Sequence, residues 1–492
     1  VPLKIPSIPG IEPLSSFIYL LYTSIVVLAI GAYAITSSPF PLLLPAAFLI
    51  VYVAILDFRK LYFLLLICIP FSTEVYLPNG LGTDLPTEPL IVGLMLVYIM
   101  YFIQNVRKIN STFFRHTLML FLFLHLGWML IAVFNSQLLV VSIKFFLAKL
   151  WYVVTFVFLT GLIVKSEREF KQLFWSVFIP LIITVLYVLY RQGVFGFSLE
   201  MVGKAMHPFY RNHVNYAALL TLFLPIVITA STWYKRWSIR WWAIICGGLI
   251  LLIAIQLAFT RSAYVSLMLA FVAYFIIRYR LMKGAISLAI VVVLAFATYV
   301  ATNNRYLDYA PNFEKTITHH NMEDLFKATY NMEDLSTMER LYRWVAGVHM
   351  SSDQRLFGFG PGNFYNFYKK YTVRSFETYV SDNKDKSGVH NYYLMVLIDQ
   401  GIPGCLIFLL LTAIILVVGE RIYHRTDNVE RKGIIMSLLL SMIIIDAFLI
   451  INDLLETDKV GAFYFIHIAV LINFDLLNTK KPTLKVEEAK ET

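Results

Sequence analysis

What most limits the folds open to this chain is the recurrence, from one end to the other, of apolar runs about as long as a bilayer is thick. A helix needs about 20 residues to cross the ~30 Å hydrocarbon core. Broken at charged residues and Pro/Gly/Asn clusters, the sequence holds fourteen such runs, at about 14–35, 39–56, 61–72, 87–104, 117–134, 145–164, 173–190, 214–231, 241–257, 262–277, 284–301, 391–418, 433–452 and 461–477. The run 61–72 is too short to cross alone and reads as a re-entrant segment. Composition agrees, with 59% of residues in AVILMFWYC and 15% charged, against roughly 45–50% and 25% in soluble globular domains. The expected fold is an all-α polytopic membrane protein of about 12–14 transmembrane helices, which excludes an ordinary soluble enzyme.

Lys and Arg concentrate in cytoplasmic loops. With both termini inside, 23 of the 41 Lys and Arg face the cytoplasm, among them Arg59, Lys165, Lys171, Arg278, Arg425 and Arg431. Seven fall on short outer segments and helix ends, and eleven in one long outer loop that the rule does not weigh. The net charge of +10 follows from this asymmetry, so membrane lipids are expected partners and nucleic acid is not. Cys68, Cys246 and Cys405 lie singly in apolar runs, without the spacing of a metal site or disulfide framework. The opening VPLKIPSIPG has no basic n-region and no small-residue cleavage site, so no removable signal peptide is expected. The expected organisation is an N-terminal transmembrane domain (1–301), a large outer loop (302–389), C-terminal transmembrane helices (390–478) and a cytoplasmic tail (479–492).

The loop is rich in aromatics, including Tyr306, Tyr342, Phe364 and Tyr368, and exceeds the usual length of structureless connections, so it is expected to be partly folded as a lid. Leu341, Trp344, Val345 and Val348, at i, i+3, i+4 and i+7, predict an amphipathic helix, with Arg340 and Arg343 holding it at the interface. The pentapeptide NMEDL occurs at 321–325 and again at 331–335, too short an echo for a repeat protein.

The conspicuous polar residues gather on the outer side. Arg261 interrupts a nearly unbroken apolar run from Trp241 to Ile277; it caps a helix end, snorkels to headgroups, or binds phosphate with its planar fork. Arg211, in HPFYRNHVNYAALL, is the natural second cation or an interfacial anchor. His390 opens HNYYLMVLIDQGIPG, followed by Asn391. At a helix N-terminus the macrodipole disfavours the imidazolium and keeps the ring available as a base. In a continuous helix Gly401 would return to within about 20° of the same face, and Gly401, Pro403 and Gly404 mark a break or kink. Asp399, Asp446 and Asp453 are carboxylates in or beside late spans. Asp453, nearest the outer face, orients His390, binds acceptor, or bonds helix to helix. Glu74, Asp84 and Glu88 are scattered and form no Asp-x-Asp pair, so neither a metal site nor a cofactor is expected. A transporter with the same groups lining a cavity should carry paired midplane sites in two halves, and the sequence has no such repeat.

One large outer loop late in a multi-span chain, closed by His-Asn, nine residues and Gly-x-x-Gly, resembles the bacterial O-antigen ligase and O-antigen polymerase superfamily. RLYRWVAGVHMSSDQRLFGFGPGNF (340–364), TRSAYVSL (260–267) and NHVNYAALLTLFLPI (212–226) are similar to its motifs, although Ser262 stands where the family usually has Gly. The resemblance covers roughly residues 205–418. It implies a C-type glycosyltransferase-like membrane fold in the bacterial inner membrane, and inverting, metal-independent transfer of a glycan from undecaprenyl diphosphate on the periplasmic face. The acceptor it implies is lipid A-core for a ligase, another lipid-linked unit for a polymerase, or a protein hydroxyl in related members. It further implies that Arg211 and Arg261 hold the diphosphate and that His390 deprotonates or orients the acceptor; Asn391, Gly401, Gly404, Asp453 and Arg343 are expected in supporting or acceptor-side positions.

Overall fold

The computed structural model describes residues 13–37, 40–76, 82–108, 111–311, 333–378, 381–383 and 387–479; the first NMEDL and residues 480–492 lie outside the described residues. Its long helices, in chain order, are α1 (Pro13–Thr36), α2 (Leu43–Phe71), α3 (Thr87–Asn105), α4 (Thr117–Phe134), α5 (Leu139–Ile163), α6 (Glu167–Val194), α7 (His213–Ala230), α8 (Ile239–Leu257), α9 (Arg261–Arg278), α10 (Met282–Ala301), α11 (Leu335–Asp353), α12 (Tyr392–Arg425), α13 (Val429–Leu449) and α14 (Asp458–Thr479). An antiparallel hairpin, β1 (Thr73–Tyr76) with β2 (Gly82–Leu85), separates α2 from α3. Among the described residues 12 helices, all of these but α2 and α11, are long and apolar enough to cross a membrane, so the protein is an all-α polytopic membrane protein.

Two expectations need correction. The runs 39–56 and 61–72 fall in one helical element, α2, interrupted at Asp57 (φ −158°, ψ 89°). There the Asp57 carboxylate takes the backbone N–H of Arg59 at 3.1 Å, a local bond that competes with the helical ladder and bends the helix without ending it. The second correction concerns α11, whose buried stripe is Met338, Tyr342, Ala346 and Met350. Val348, expected on the apolar face, is exposed, because α11 packs on α12 and on the aromatic loop residues Phe364, Tyr368 and Phe376. Arg343 is accordingly buried and does not anchor the helix in headgroups.

Helices begin where a short polar side chain can take an orphan N–H, as the absence of water in lipid requires. Asn212 accepts from Asn215 N–H at the start of α7, Ser238 from Trp241 N–H at α8, Asn391 from Leu394 N–H at α12 and Asn428 from Arg431 N–H at α13. At α6, Ser166 accepts from Glu169 N–H while Glu169 takes Lys165 N–H. Between spans, glycines permit close packing: Gly247 lies against Phe178 and Gly419 against Leu439, where a Cβ would collide. The hub is α14, 83% buried in its apolar window, whereas the window of α10 is 0% buried, that helix touching the bundle chiefly along α12 and α9. Around the hub, α13 packs between α7 and α9, and α12 packs on α4.

The contacts sort the connections into two ends of the bundle. At one end, Arg431 meets Glu167 (2.7 Å), Lys171 meets Glu430 (2.8 Å) and Asp475 meets His116 (3.3 Å) and Arg425. This basic end holds the segments rich in Lys and Arg. The other, the loop end, gathers the β-hairpin, the 195–212 and 258–260 connections, the long loop and the 450–457 turn.

Candidate functional site

The loop end is built around a break in α12. Gly401 has φ +69° and ψ −175°, a region open essentially to glycine, and a Cβ there would strike the Leu356 carbonyl. The chain after α11 docks into this break. Ile402 N–H donates to Arg355 O (2.8 Å), Phe359 N–H to Ile398 O (2.8 Å) and Gly360 N–H to Asp399 O (3.0 Å). The Asp399 carboxylate takes Gly362 N–H at 3.0 Å, and Asn363 Nδ2 donates to Ser136 Oγ at 2.9 Å. Gly358, Gly360 and Gly362 all have positive φ. The GFGPGNF stretch is therefore a clasp joining the loop to α12 and α5, and Gly404 serves it by making room for Trp128, whose indole N–H donates to Gln400 O at 2.9 Å. Because His390 lies ahead of the Asn391 cap, outside the helix and at positive φ, the face it would share with Gly401 in a continuous helix does not exist.

His390 sits one residue before the Asn391 cap, in a left-handed turn (φ +56°). Asp453, in the turn between α13 and α14, holds this turn by accepting His390 N–H at 3.1 Å, and Gly388 leaves space for its carboxylate. Trp344 of α11 donates to His390 O at 3.4 Å. Burial, then the charges of Arg340, Arg343 and Arg211 in that order, hold the half-buried imidazole down at about 3, so it is neutral throughout the neutral range. Burial pushes the Asp453 carboxyl up to about 6, against the two backbone N–H groups that favour its ionised form, and its Oδ1 is buried without a hydrogen-bond partner.

Cations from three segments gather around this turn and the start of α11. Arg261 opens α9, where the helix dipole opposes a positive charge, and it is held by Asp334 at 2.9 Å. Asp334 also caps α11 through Thr337 N–H (3.0 Å) and Thr337 Oγ1 (2.6 Å). Burial would raise the Asp334 carboxyl, but the hydrogen bonds from Thr337 and Arg261 keep it below its ordinary value. One turn on, Arg340 donates to Ser336 Oγ at 2.7 Å while its Nε is buried without a partner. Arg343 meets Glu339 at 3.3 Å and Gly388 O at 3.5 Å, and its Nε is also unpartnered. Arg211, more than half exposed, is only loosely paired with Glu74 at 3.7 Å.

A cavity of about 190 Å³ opens beside Arg211, lined by Glu74, Asp84, Glu88, Glu456, Asp458 and Lys459 among others. The carboxylates that look scattered in sequence thus meet in space, because the β-hairpin folds over the start of α14. Burial and then the neighbouring Asp458 charge push Asp84 up to about 7. Below it, Glu456 is fixed by Lys149 (2.7 Å) and Tyr392 (3.0 Å), and Lys459 by the carbonyls of Ile69 (3.1 Å) and Ser72 (3.0 Å). Among the described residues no group of three or more His, Cys, Asp or Glu has the arrangement of a metal site. Asp334, Glu456 and Lys149 were not singled out by the sequence reading. Asp334 is hidden in the second NMEDL, and nothing local marks the other two.

Residues 246–409, one third of the chain, match the family described as O-antigen ligase. The match runs from α8 to α12, includes Arg261, Asp334, Arg340, Arg343, His390, Asn391, Gly401 and Gly404, and leaves out Arg211 and Asp453. It assigns this region to the O-antigen ligase/polymerase family, and with it a glycosyltransferase of the ligase/polymerase type in a multi-pass membrane protein. That family acts in general on a lipid-linked glycan and a lipid A-core acceptor in the bacterial inner membrane. No curated protein matches the chain.

Proposed function

We propose that the protein transfers a glycan from undecaprenyl diphosphate to an acceptor hydroxyl at the periplasmic face, with inversion and without a metal, and that the acceptor is lipid A-core. The proposed topology puts both termini in the cytoplasm and the loop end outside. The observation that carries the reading is that guanidiniums from two separate segments, Arg211 and the Arg340/Arg343 pair of α11, act on one neutral, half-buried imidazole, with Arg261 joined to the same helix through Asp334.

Glycosyl transfer from a diphosphate requires the negative charge that develops on the leaving group to be held, and preorganised guanidiniums do this without solvent reorganisation. Arg211 and Arg261 take the diphosphate. The acceptor oxygen attacks the anomeric carbon from the opposite face; its proton passes to His390, the sugar–phosphate bond breaks, and undecaprenyl diphosphate leaves with the bonding electrons. A base held near 3 is weak; burial is the first cause, and of the charges that add to it, those of Arg340, Arg343 and Arg211, the last is one the donor neutralises. Donor binding therefore strengthens His390 as a base at the moment it is needed. Asp453 keeps the ring in place through the backbone.

The test is transfer by purified protein from polyprenyl-diphosphate glycan to lipid A-core in the presence of EDTA, with His390→Ala and Arg261→Ala alongside. Product that survives EDTA and vanishes in both variants is expected. Lengthening of the donor glycan with no product on lipid A-core would make the enzyme a polymerase, and translocation with no bond broken would sink the transferase reading.

A further inference from the structure

Arg340 belongs to neither the Arg211 nor the Arg261 pairing, yet it is close enough to act on both Arg261 and His390. It stands on α11 six residues past Asp334, the partner of Arg261, and three before Arg343, whose Nη1 reaches the Gly388 carbonyl beside the His390 turn (3.5 Å). Of its donors, Nη1 is used by Ser336, a neighbour on its own helix, while Nε is buried and has no acceptor. Leaving a buried charged donor unsatisfied is costly, and Arg340 is further crowded by like charges. Burial and then Arg261 pull it down to about 10, with Arg343 adding to the effect and Asp334 and Asp453 opposing it. Arg340 is also the largest single charge acting on His390. Two cations, Arg261 and Arg343, and two carboxylates, Asp334 and Asp453, act on it, but Asp334 is engaged by Arg261 and Thr337 and Asp453 by the His390 turn, so an incoming anion would satisfy the donor that neither carboxylate takes. Arg343 is a poorer candidate, because Glu339 already takes its Nη2 and is itself fixed by Ser381 (2.7 Å) and Thr378.

We propose that Arg340 is a third ligand of the donor diphosphate, bridging the Arg261 side of the site to His390. The inference rests on the transferase reading above. One guanidinium touching both a phosphate oxygen and the surroundings of the base couples donor arrival to base strength, and a single phosphate, lacking the second group, engages the set incompletely.

The experiment uses the full chain in lipid nanodiscs, with undecaprenyl diphosphate and undecaprenyl monophosphate as the two probes, on wild type, Arg340→Gln, Arg340→Lys and Arg261→Ala. Wild type should prefer the diphosphate. Arg340→Gln should weaken diphosphate binding about 10- to 100-fold and monophosphate binding much less, so that the preference collapses. Arg340→Lys should fall between the two, keeping charge but losing the fork. A merely structural arginine would lower thermal stability without changing the ratio of the two affinities. If Arg340→Gln does not fold, the Lys variant decides, and an undiminished preference there overturns the proposal. If Arg261→Ala loses diphosphate binding while the Arg340 variants keep it, this proposal falls and the donor site stands. If Arg261→Ala also binds like wild type, the donor-site reading itself fails.

Discussion

The two ends of the helix bundle use the same basic side chains in opposite ways. At the basic end Arg431, Lys171 and Arg425 each meet a carboxylate on another helix, Glu167, Glu430 and Asp475, and so lock spans together. At the loop end, among the described residues, Arg261 alone of the four arginines has a close carboxylate from another segment, while Arg211 is 3.7 Å from Glu74 and Arg340 and Arg343 keep buried Nε groups without a partner. A positive charge with its counter-ion supplied is structure. One held without enough counter-ion is poised for an anion that comes and goes.

The largest test of this contrast pairs one arginine from each end. Arg211→Ala, which removes an exposed and loosely paired charge, should lower transfer per folded molecule about 10²- to 10³-fold, the usual effect of removing a group that stabilises developing charge, with little change in unfolding midpoint. Arg431→Ala should do the reverse, costing about 1–3 kcal/mol of stability with turnover intact. Rates normalised to folded protein, read beside thermal unfolding, separate the two; equal loss of turnover in both would break the contrast.

A second pair compares backbone at the two kinds of surface. Gly401→Ala should cost about 1–3 kcal/mol in backbone strain alone, plus the collision with Leu356 O, and should release the clasp. Limited proteolysis between 354 and 363 is the direct readout. Gly284→Ala, on outward-facing α10 with nothing within 4 Å of the added methyl, should be neutral or stabilising by up to about 1 kcal/mol. Resistance of the clasp to protease in Gly401→Ala would show that the break is not what holds the loop.

A third test concerns pH. With Asp453 at about 6 and His390 at about 3, the acid limb of the turnover profile should fall near pH 6 and belong to Asp453: protonation weakens its grip on the His390 turn, so activity drops as pH falls. Stability moves the other way. A carboxyl raised above its unfolded value contributes stability that is fully present below that unfolded value and is lost as pH rises through about 6. Asp453→Asn should abolish the limb; its persistence would assign the titration elsewhere.

The spans were legible because a bilayer imposes one length and one polarity on anything that crosses it. Where that constraint ends, so did legibility. The charged DFRK tetrapeptide looked like a loop but only bends α2. The α11 helix was recognisable from its periodicity, but which stripe faces inward was set by Tyr368 and Phe376, which no local pattern specifies. His390, Arg261 and Arg211 stood out as polar anomalies. The gathering of Glu74, Asp84 and Glu88 with Glu456 and Asp458 did not, since those segments are far apart in the chain. Asp334 could not be told from solvated loop charge until its two partners were in view.

The smallest effect is the sharpest check on what pairing means at the basic end. Lys171 and Glu430 lie 2.8 Å apart with side chains 24% and 35% exposed, and partly exposed pairs are worth about 0.2–1 kcal/mol once solvent screening and side-chain entropy are counted. A double-mutant cycle with Lys171→Met and Glu430→Gln should return a coupling energy in that range by thermal unfolding, falling with added salt, and turnover should be unchanged at every corner. Lys171 also lies over the rings of Trp233 and Tyr234 (5.6 and 5.9 Å to the centroids), so Lys171→Met alone should cost slightly more than Glu430→Gln alone. A coupling well above 1 kcal/mol would mean that the basic end is as dry as the loop end; the contrast between the ends would then rest on the supply of counter-ions alone, with no contribution from solvent.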